Sequence, residues 1–511
     1  MRRRAGPAAF LVFFAFTAGL QALHGAYSSD FGGNADEAAH YVSGVMVRDY
    51  LAAVPWTAPM PFARDFYNHY PMVAIGHWPP MFYVAQSIWT LPFGVSRPSV
   101  LLLIALFSAA TATVMFVFWQ RRFGTIAAAA LALTFLSVPI VQQYGRMVMA
   151  EMLVTLLMML AATAYARYLE TERWRDSLAF ALLASVAILT KPNALALAFV
   201  PAFAVIVVRR ADLLWRLSYW IPAVIVALIC APWYVFAADM MREGWSASYD
   251  ASWLLREPAT ENALQLVYIA TTPVFGAALI GLIHELWPRQ ARVSTHSAVM
   301  AALLFSIWLF HSFVVPVREA RHLIPAVPAL LGFCAAAIVA LTRFIAPGSA
   351  GTTWGVPVLG AVMMTTFLLG GSGAPQPVTG ADRAVETVLS HTTSDSVLVS
   401  SEGFGEGVFI AELVQAERRP GHRVLRASKV LSSSTWNGSE YRLLYGNAAD
   451  ADAYLRTADI NVIVLDLRSA PSRRPVPHHR QLLDVVQRSG RWRRLTPGPD
   501  AGFAVFQAVS P

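Results

Sequence analysis

The sequence predicts a polytopic α-helical membrane protein of about eleven transmembrane helices, with interfacial helices in the first outer loop and a small C-terminal α/β domain outside the membrane. Three observations carry this. The 511 residues are 56% hydrophobic and only 14% charged, where a soluble domain carries about 25% charged residues. The apolar residues gather in repeated runs close to the roughly 20 needed to cross a bilayer. At about Gly373 the composition turns ordinary and polar, and it stays so to the end.

The elements follow in order. Arg2, Arg3 and Arg4 precede an apolar stretch from Ala8 to Ala26. The triple arginine holds the N-terminus in the cytoplasm. A retained first helix is expected here rather than a cleaved signal peptide, because many further spans follow. The next stretch, Tyr27 to Trp78, is polar and aromatic, too rich in Trp, Tyr and Phe to be disordered. Met81 to Phe93 is apolar but short and is opened by Pro79-Pro80. It is expected to lie in the interface, not to cross. Further apolar segments lie at about 99–119, 123–143, 147–168, 177–190, 194–208, 217–237, 263–284, 296–315, 322–342 and 353–371.

Charge sets the topology. If the first segment runs outward, every second connection bears arginine: Arg121-Arg122, Arg173 with Arg175, Arg209-Arg210 with Arg216, Arg289 with Arg292, and Arg343. That is the positive-inside pattern. A full span at Met81–Phe93 would turn these loops outward. The domains read as 1–373 in the membrane, with 27–95 as the first outer loop, and 374–511 as a soluble periplasmic domain. In the latter, short β-rich runs (397–399, 424–425, 462–465, 503–506) alternate with helical patterns (408–415, 450–457, 481–488).

Other function classes recede. The net charge of +8 comes from arginines scattered at helix ends, which is not a nucleic-acid footprint. Cys230 and Cys334 lie in apolar runs and form neither a disulfide framework nor a metal motif. Gly403, Gly405 and Gly407 miss the spacing of a dinucleotide loop, so no nucleotide cofactor is expected.

Most of the charges that topology leaves unexplained are on the outer side. Asn34-Ala35-Asp36-Glu37 suits a capping box, with Asn34 as N-cap and Glu37 at N3. Asp36 and His40 are four apart and would share a helix face as an acid/base or metal-binding pair. From spacing alone, structural and functional readings of Asp36 are both open. His77 is held at the membrane boundary by the two prolines that follow Trp78. Arg146 and Glu151 flank the start of an apolar helix, where acids are costly and tend to mark sites. The chain has only two lysines among its 39 basic residues, and Lys191 stands in a very short outer turn. A compact ammonium there suits a phosphate. Arg318 and Arg321 bracket Glu319 at another outer helix end. The fourth outer loop adds a mixed set: Asp239, Arg242, Glu243, Asp250, Arg256, Glu257 and Glu261.

These motifs, in this order, resemble the GT-C glycosyltransferases, in the branch of protein O-mannosyltransferases and the lipid A aminoarabinose transferase. The resemblance rests on Asp36-Glu37, on Val47-Arg48-Asp49-Tyr50-Leu51 and on His77-Trp78-Pro79-Pro80-Met81-Phe82-Tyr83. It extends through Arg146 to Glu151-Met152-Leu153, Thr190-Lys191-Pro192 and Arg321-His322-Leu323-Ile324-Pro325-Ala326, and covers roughly residues 10–345. It implies inverting transfer of a sugar from a polyprenyl-phosphate donor to an envelope lipid, glycan or protein, on the outer face of a bacterial inner membrane. By position, Asp36 is then the catalytic carboxylate, with Glu37 and Glu151 beside it. Lys191, Arg318 and Arg321 bind the donor phosphate. His77 occupies the place of a metal-binding residue, so a divalent ion is the cofactor implied. His40, Arg48 and Arg146 are further loop candidates. The pattern departs from the family at Glu151, where Asp is usual, and at Pro192, where Gly is usual. A transporter for a lipid-linked substrate and a non-catalytic envelope assembly protein are the rival functions.

Overall fold

The protein is represented by a computed structural model that describes residues 5–54, 56–245, 257–287, 293–314, 319–345, 351–370, 378–392, 396–434, 440–468, 476–496 and 502–509. Helices run in the order α1 (Ala5–Leu23), α2 (Glu37–Ala52), α3 (Pro59–His69), α4 (Met81–Phe93), α5 (Arg97–Phe123), α6 (Thr125–Ser137), α7 (Pro139–Gly145), α8 (Glu151–Thr171) and α9 (Trp174–Ile188). Then come α10 (Val200–Val208), α11 (Leu217–Phe236), α12 (Ala238–Trp245), α13 (Glu257–Ala270), α14 (Thr272–Leu286), α15 (Thr295–Leu309), α16 (Val327–Ile345) and α17 (Gly351–Leu369). A 3₁₀ turn, Pro192–Phe199, leads into α10, and another, Ala320–Ala326, leads into α16.

This is a multi-pass helical fold. Among the described residues, six helices are long and apolar enough to cross a membrane, or up to eight if each of two bent pairs is one span. That is fewer than the eleven or so apolar segments of the sequence. The difference has a local cause. α6 and α7 meet at 65°, and α13 and α14 at 109°. Pro139 and Pro273 sit in the first turns of α7 and α14, and a proline has no N–H to continue the preceding helix. The segments Pro192–Val208 and Trp354–Leu369, and the 15 residues of α9, are apolar but shorter than a full span.

The longest helix, α5, shows how the ends are set. Ser96 caps it by accepting from the Ser99 N–H, a proline follows in the first turn, and Gly124 at φ 84° ends it. Its 27 residues extend about 40 Å. α8 runs parallel in role: Glu151 opens it, and Glu172 just past its end pairs with Arg210 at 2.7 Å and Arg216 at 2.5 Å. At the same end Arg122 pairs with Glu285. Arg122, Arg210 and Arg216 therefore sit opposite the end that holds Arg97, Glu151 and Lys191.

The first long loop folds as three helices, α2 to α4, in agreement with interfacial rather than spanning segments. One detail differs from the sequence reading. Asn34 does not cap α2; its Oδ1 accepts from the Asp36 N–H at 2.9 Å, and Asp36 itself takes the cap position.

Beyond α17 a small α/β unit follows, with α18 (Ala381–His391), α19 (Gly405–Ala416), α20 (Ala427–Val430), α21 (Ala448–Thr457) and α22 (Pro477–Arg488). Its strands are β1 (Ser396–Ser400), β2 (Arg423–Arg426), β3 (Ser432–Ser433), β4 (Arg442–Leu443), β5 (Val462–Asp466), β6 (Trp492–Arg494) and β7 (Phe503–Ala508). The sheet order is β2-β1-β5-β7-β6, with β2, β1 and β5 parallel and the last two antiparallel. Val397, Leu398, Val462, Ile463, Val464 and Leu465 are buried on both faces, as expected of a covered parallel sheet.

This unit is seated on the first loop by buried polar contacts. The Thr379 N–H donates to Asp30 at 2.5 Å, and Tyr70 donates to Glu417 at 2.5 Å. Arg419 pairs with Asp49 at 2.6 Å, and the Arg97 N–H donates to Gln415. Gly405 and Gly407 serve packing: a Cβ at Gly405 would overlap Asp466, and one at Gly407 would lie 2.7 Å from Met72 Cε.

Candidate active site

Four elements converge on one charged centre. The start of α2 brings Asp36, the start of α8 brings Glu151, the turn after α9 brings Lys191, and the 3₁₀ turn before α16 brings Arg321. Lys191 Nζ lies 2.6 Å from Glu151 Oε1. Arg321 Nη1 lies 3.0 Å from Asp36 Oδ2, and its Nε lies 3.7 Å from Glu151 and 2.5 Å from Glu319. The Lys191 ammonium also stands 5.6 Å from the Trp78 ring centroid. Side-chain exposure separates the acids: 2% for Glu151, 18% for Asp36 and 53% for Glu319. Buried charges persist only when paired, and here two cations are shared among three carboxylates. Burial pushes the Lys191 ammonium below its ordinary value, and Glu151 beside it pulls the other way.

A cavity of about 1380 Å³ opens against this centre. The first loop forms one wall, with Asp36, His77 and Trp78, and the C-terminal unit forms another, with Phe404, Arg426 and Lys429. Gly76 reaches this wall at φ 106°, where a Cβ would lie 2.6 Å from Met240 Sδ. Among the described residues, Asp36 alone of the carboxylates lines the cavity. It stands with Arg321 on one side and open space on the other.

The other expected residues have different surroundings. Glu37 is fully buried and holds structure: its Oε1 accepts from Arg97 at 2.9 Å and from the Val148 N–H at 3.1 Å, and its Oε2 accepts from the Gly33 N–H at 3.1 Å. A catalytic role for Glu37 does not fit that position. His40 does not pair with Asp36 through its ring. It turns into Trp78, Phe82 and Tyr83, with Nδ1 3.0 Å from the Tyr83 hydroxyl. Burial lowers it to about 4, against the pull of Asp36 and Glu151. Arg48 bonds Asp49 at 2.8 Å, away from the centre, and Arg146 is buried with its Nε donating to Gln142 O at 3.2 Å. Arg318, Asp250 and Arg256 lie outside the described residues.

His77 lines the cavity with Asp36. Among the described residues no three His, Cys, Asp or Glu side chains converge.

Arg97 was not singled out from sequence. It is 2% exposed and donates to Ala26 O at 2.5 Å, Ser29 O at 3.0 Å and Glu37. It ties the loop before Asp36 to α5. The signal was available: an arginine opening a span on the side where the positive-inside rule allows few.

A family model described as Dolichyl-phosphate-mannose-protein mannosyltransferase matches residues 77–236. ArnT from Cupriavidus metallidurans in the apo state superposes with a TM-score of 0.64 at 14% identity, covering 98% of this chain and 97% of that one. The same protein bound to undecaprenyl phosphate gives 0.62 at 15% identity, with 98% of each chain covered. The archaeal oligosaccharyltransferase AglB from Archaeoglobus fulgidus, in complex with an inhibitory peptide and a dolichol-phosphate, gives 0.54 at 12% identity, over 91% of this chain and 70% of that one. No curated protein matches. The fold is the one seen in ArnT.

Proposed function

We propose that this chain is an inverting glycosyltransferase. It moves a sugar from a polyprenyl-phosphate donor to an envelope lipid, glycan or protein on the outer face of a bacterial inner membrane. The observation that carries this is the position of Asp36, the one carboxylate among the described residues that lines the cavity, in direct contact with Arg321 behind it. The match to a dolichyl-phosphate-mannose transferase model and the likeness to ArnT bound to undecaprenyl phosphate support the same donor class.

The donor phosphate takes the side of Lys191 and Arg321, displacing Glu319 from the guanidinium. The acceptor hydroxyl takes the cavity side. Asp36 accepts its proton as the acceptor oxygen bonds to the anomeric carbon. The carbon–oxygen bond to the phosphate breaks, and its electron pair leaves on the lipid phosphate. Attack and departure on opposite faces invert the anomeric centre. Lys191 and Arg321 neutralise the charge that develops, which is commonly the largest catalytic contribution. Glu151 is a positioning residue, holding both cations in a dry site.

The test is transfer by the purified, reconstituted protein with a polyprenyl-phosphate sugar. Asp36→Asn should abolish turnover while donor binding persists. Undiminished transfer by that variant would overturn the assignment.

A further inference from the structure

The cavity has a charge asymmetry that catalysis by Asp36 does not use. Its strongly basic lining residues are Arg64, Arg426 and Lys429. Arg64 lies on α3, which packs against β2, the strand that ends in Arg426. Lys429 follows on α20. Arg426 is oriented rather than free: its Nε donates to Glu406 at 2.9 Å, and the Ser428 N–H and hydroxyl fix the same carboxylate. That leaves the outer edge of the guanidinium toward the cavity. Lys429 is open to solvent, with its Nζ 3.4 Å from Ser434 O. Partial burial first, and then Arg426 beside it, push the ammonium down, while Glu406 pulls the other way. The chain uses lysine only twice, once at the buried centre and once on this wall.

We propose that Arg426 and Lys429, faced by Arg64, form a subsite for an acidic group of the acceptor, a phosphate or a carboxylate. This deepens the glycosyltransferase reading and rests on it for the word acceptor. An arginine held from behind and a solvent-exposed ammonium beside it suit an oxyanion, one by planar hydrogen bonds and the other by point charge. The group would be held in the same cavity as the base, so the acceptor's hydroxyl reaches Asp36 while its charge stays on the C-terminal unit.

The sparse lysines make the test direct. Reductive ¹³C-methylation of the full-length protein in detergent keeps the charge and labels Lys429, while Lys191 is shielded at 2% exposure. The Lys429 methyl signal, assigned by its loss in Lys429→Arg, is titrated with glycerol phosphate, with glucuronate and with glucose. The expected result is a saturable shift with at least one of the two anions and none with glucose. Arg426→Gln should weaken that binding about tenfold. The stronger anion tells phosphate from carboxylate. Anion shifts no larger than those from sodium chloride overturn the subsite. As a second measurement independent of Arg426, Lys429→Gln should raise the acceptor KM at unchanged kcat; an unchanged KM also overturns it. Asp36→Asn should leave the titration intact. Retained transfer by Asp36→Asn together with a normal titration would remove the base assignment and leave the anion site standing.

Discussion

The Arg321 guanidinium stands 3.0 Å from the Asp36 carboxylate and 3.7 Å from Glu151. It joins the residue facing the cavity to the buried pair behind it. Replacing Asp36 by Asn keeps the shape and removes the base. General-base catalysis is worth about 10²- to 10⁴-fold, so kcat should fall by that order. Donor affinity should hold or rise, because Arg321 gains freedom to meet the phosphate. Steady-state transfer and donor titration on the same preparation check both halves.

Lys191 and Glu151 are a buried pair at 2.6 Å. Removing one partner from such a pair costs about 3–5 kcal/mol. Lys191→Ala should therefore lower thermal stability as well as donor affinity. Lys191→Met with Glu151→Gln removes both charges and should recover much of the stability without recovering donor binding. Glu319→Gln, at an exposed partner of Arg321, should tighten donor binding a few-fold. Donor affinity indifferent to Lys191 would remove the phosphate role.

Glu37 and Arg97 predict a structural phenotype. Both are nearly inaccessible, and Arg97 also holds Ala26 and Ser29. Glu37→Ala strands a buried guanidinium and should cost about 3–5 kcal/mol. The readout is a lowered melting temperature and reduced yield, with donor and acceptor KM preserved in whatever protein folds.

His40 is lowered to about 4 by burial and is neutral near pH 7. Its titration cannot shape the activity between pH 5 and 8. His40→Gln should change stability but leave the pH profile of transfer in that window superimposable on the parent's. A lost limb near pH 6 would show that His40 takes part in proton transfer.

Glu412 on α19 is raised to about 8, first by burial and then by Asp30, with Arg97 opposing. The folded state holds this proton to higher pH than the unfolded chain, whose Glu titrates near 4.3. Stability from this group is therefore full below about pH 4 and is lost as pH rises through about 8. Glu412→Gln should flatten the decline of melting temperature between pH 5 and 9 and make the variant relatively more stable above pH 8. A decline identical to the parent's would rule out this linkage.

Much was legible along the chain because the responsible patterns are local. Bilayer-length apolar runs, arginines in alternate connections and the β-rich runs at 397–399 and 462–465 each report on a single segment. Asp36, Lys191 and Arg321 stood out for the same reason, as charges on the side where the topology did not require them. Their partners could not be read this way. Glu37 looked like a capping acid and is the counter-charge of Arg97, 60 residues away. His40 has the spacing to share a face with Asp36, yet the aromatic rings of Trp78, Phe82 and Tyr83 take its ring. The two bends that reduce the span count also depend on how prolines are packed, not on hydropathy.

Sequence alone thus determined the solvent each segment prefers, because hydrophobicity and charge are properties of the residues themselves. Only the tertiary structure decided which charges neutralise each other and which one is left facing a cavity. Electrostatic interaction falls with distance and rises with burial, and both are set by elements that meet from far apart in the chain. Asp36 is the clearest case: its neighbours in sequence leave its role open, and Arg321, 285 positions on, together with the cavity before it, distinguishes it from Glu37.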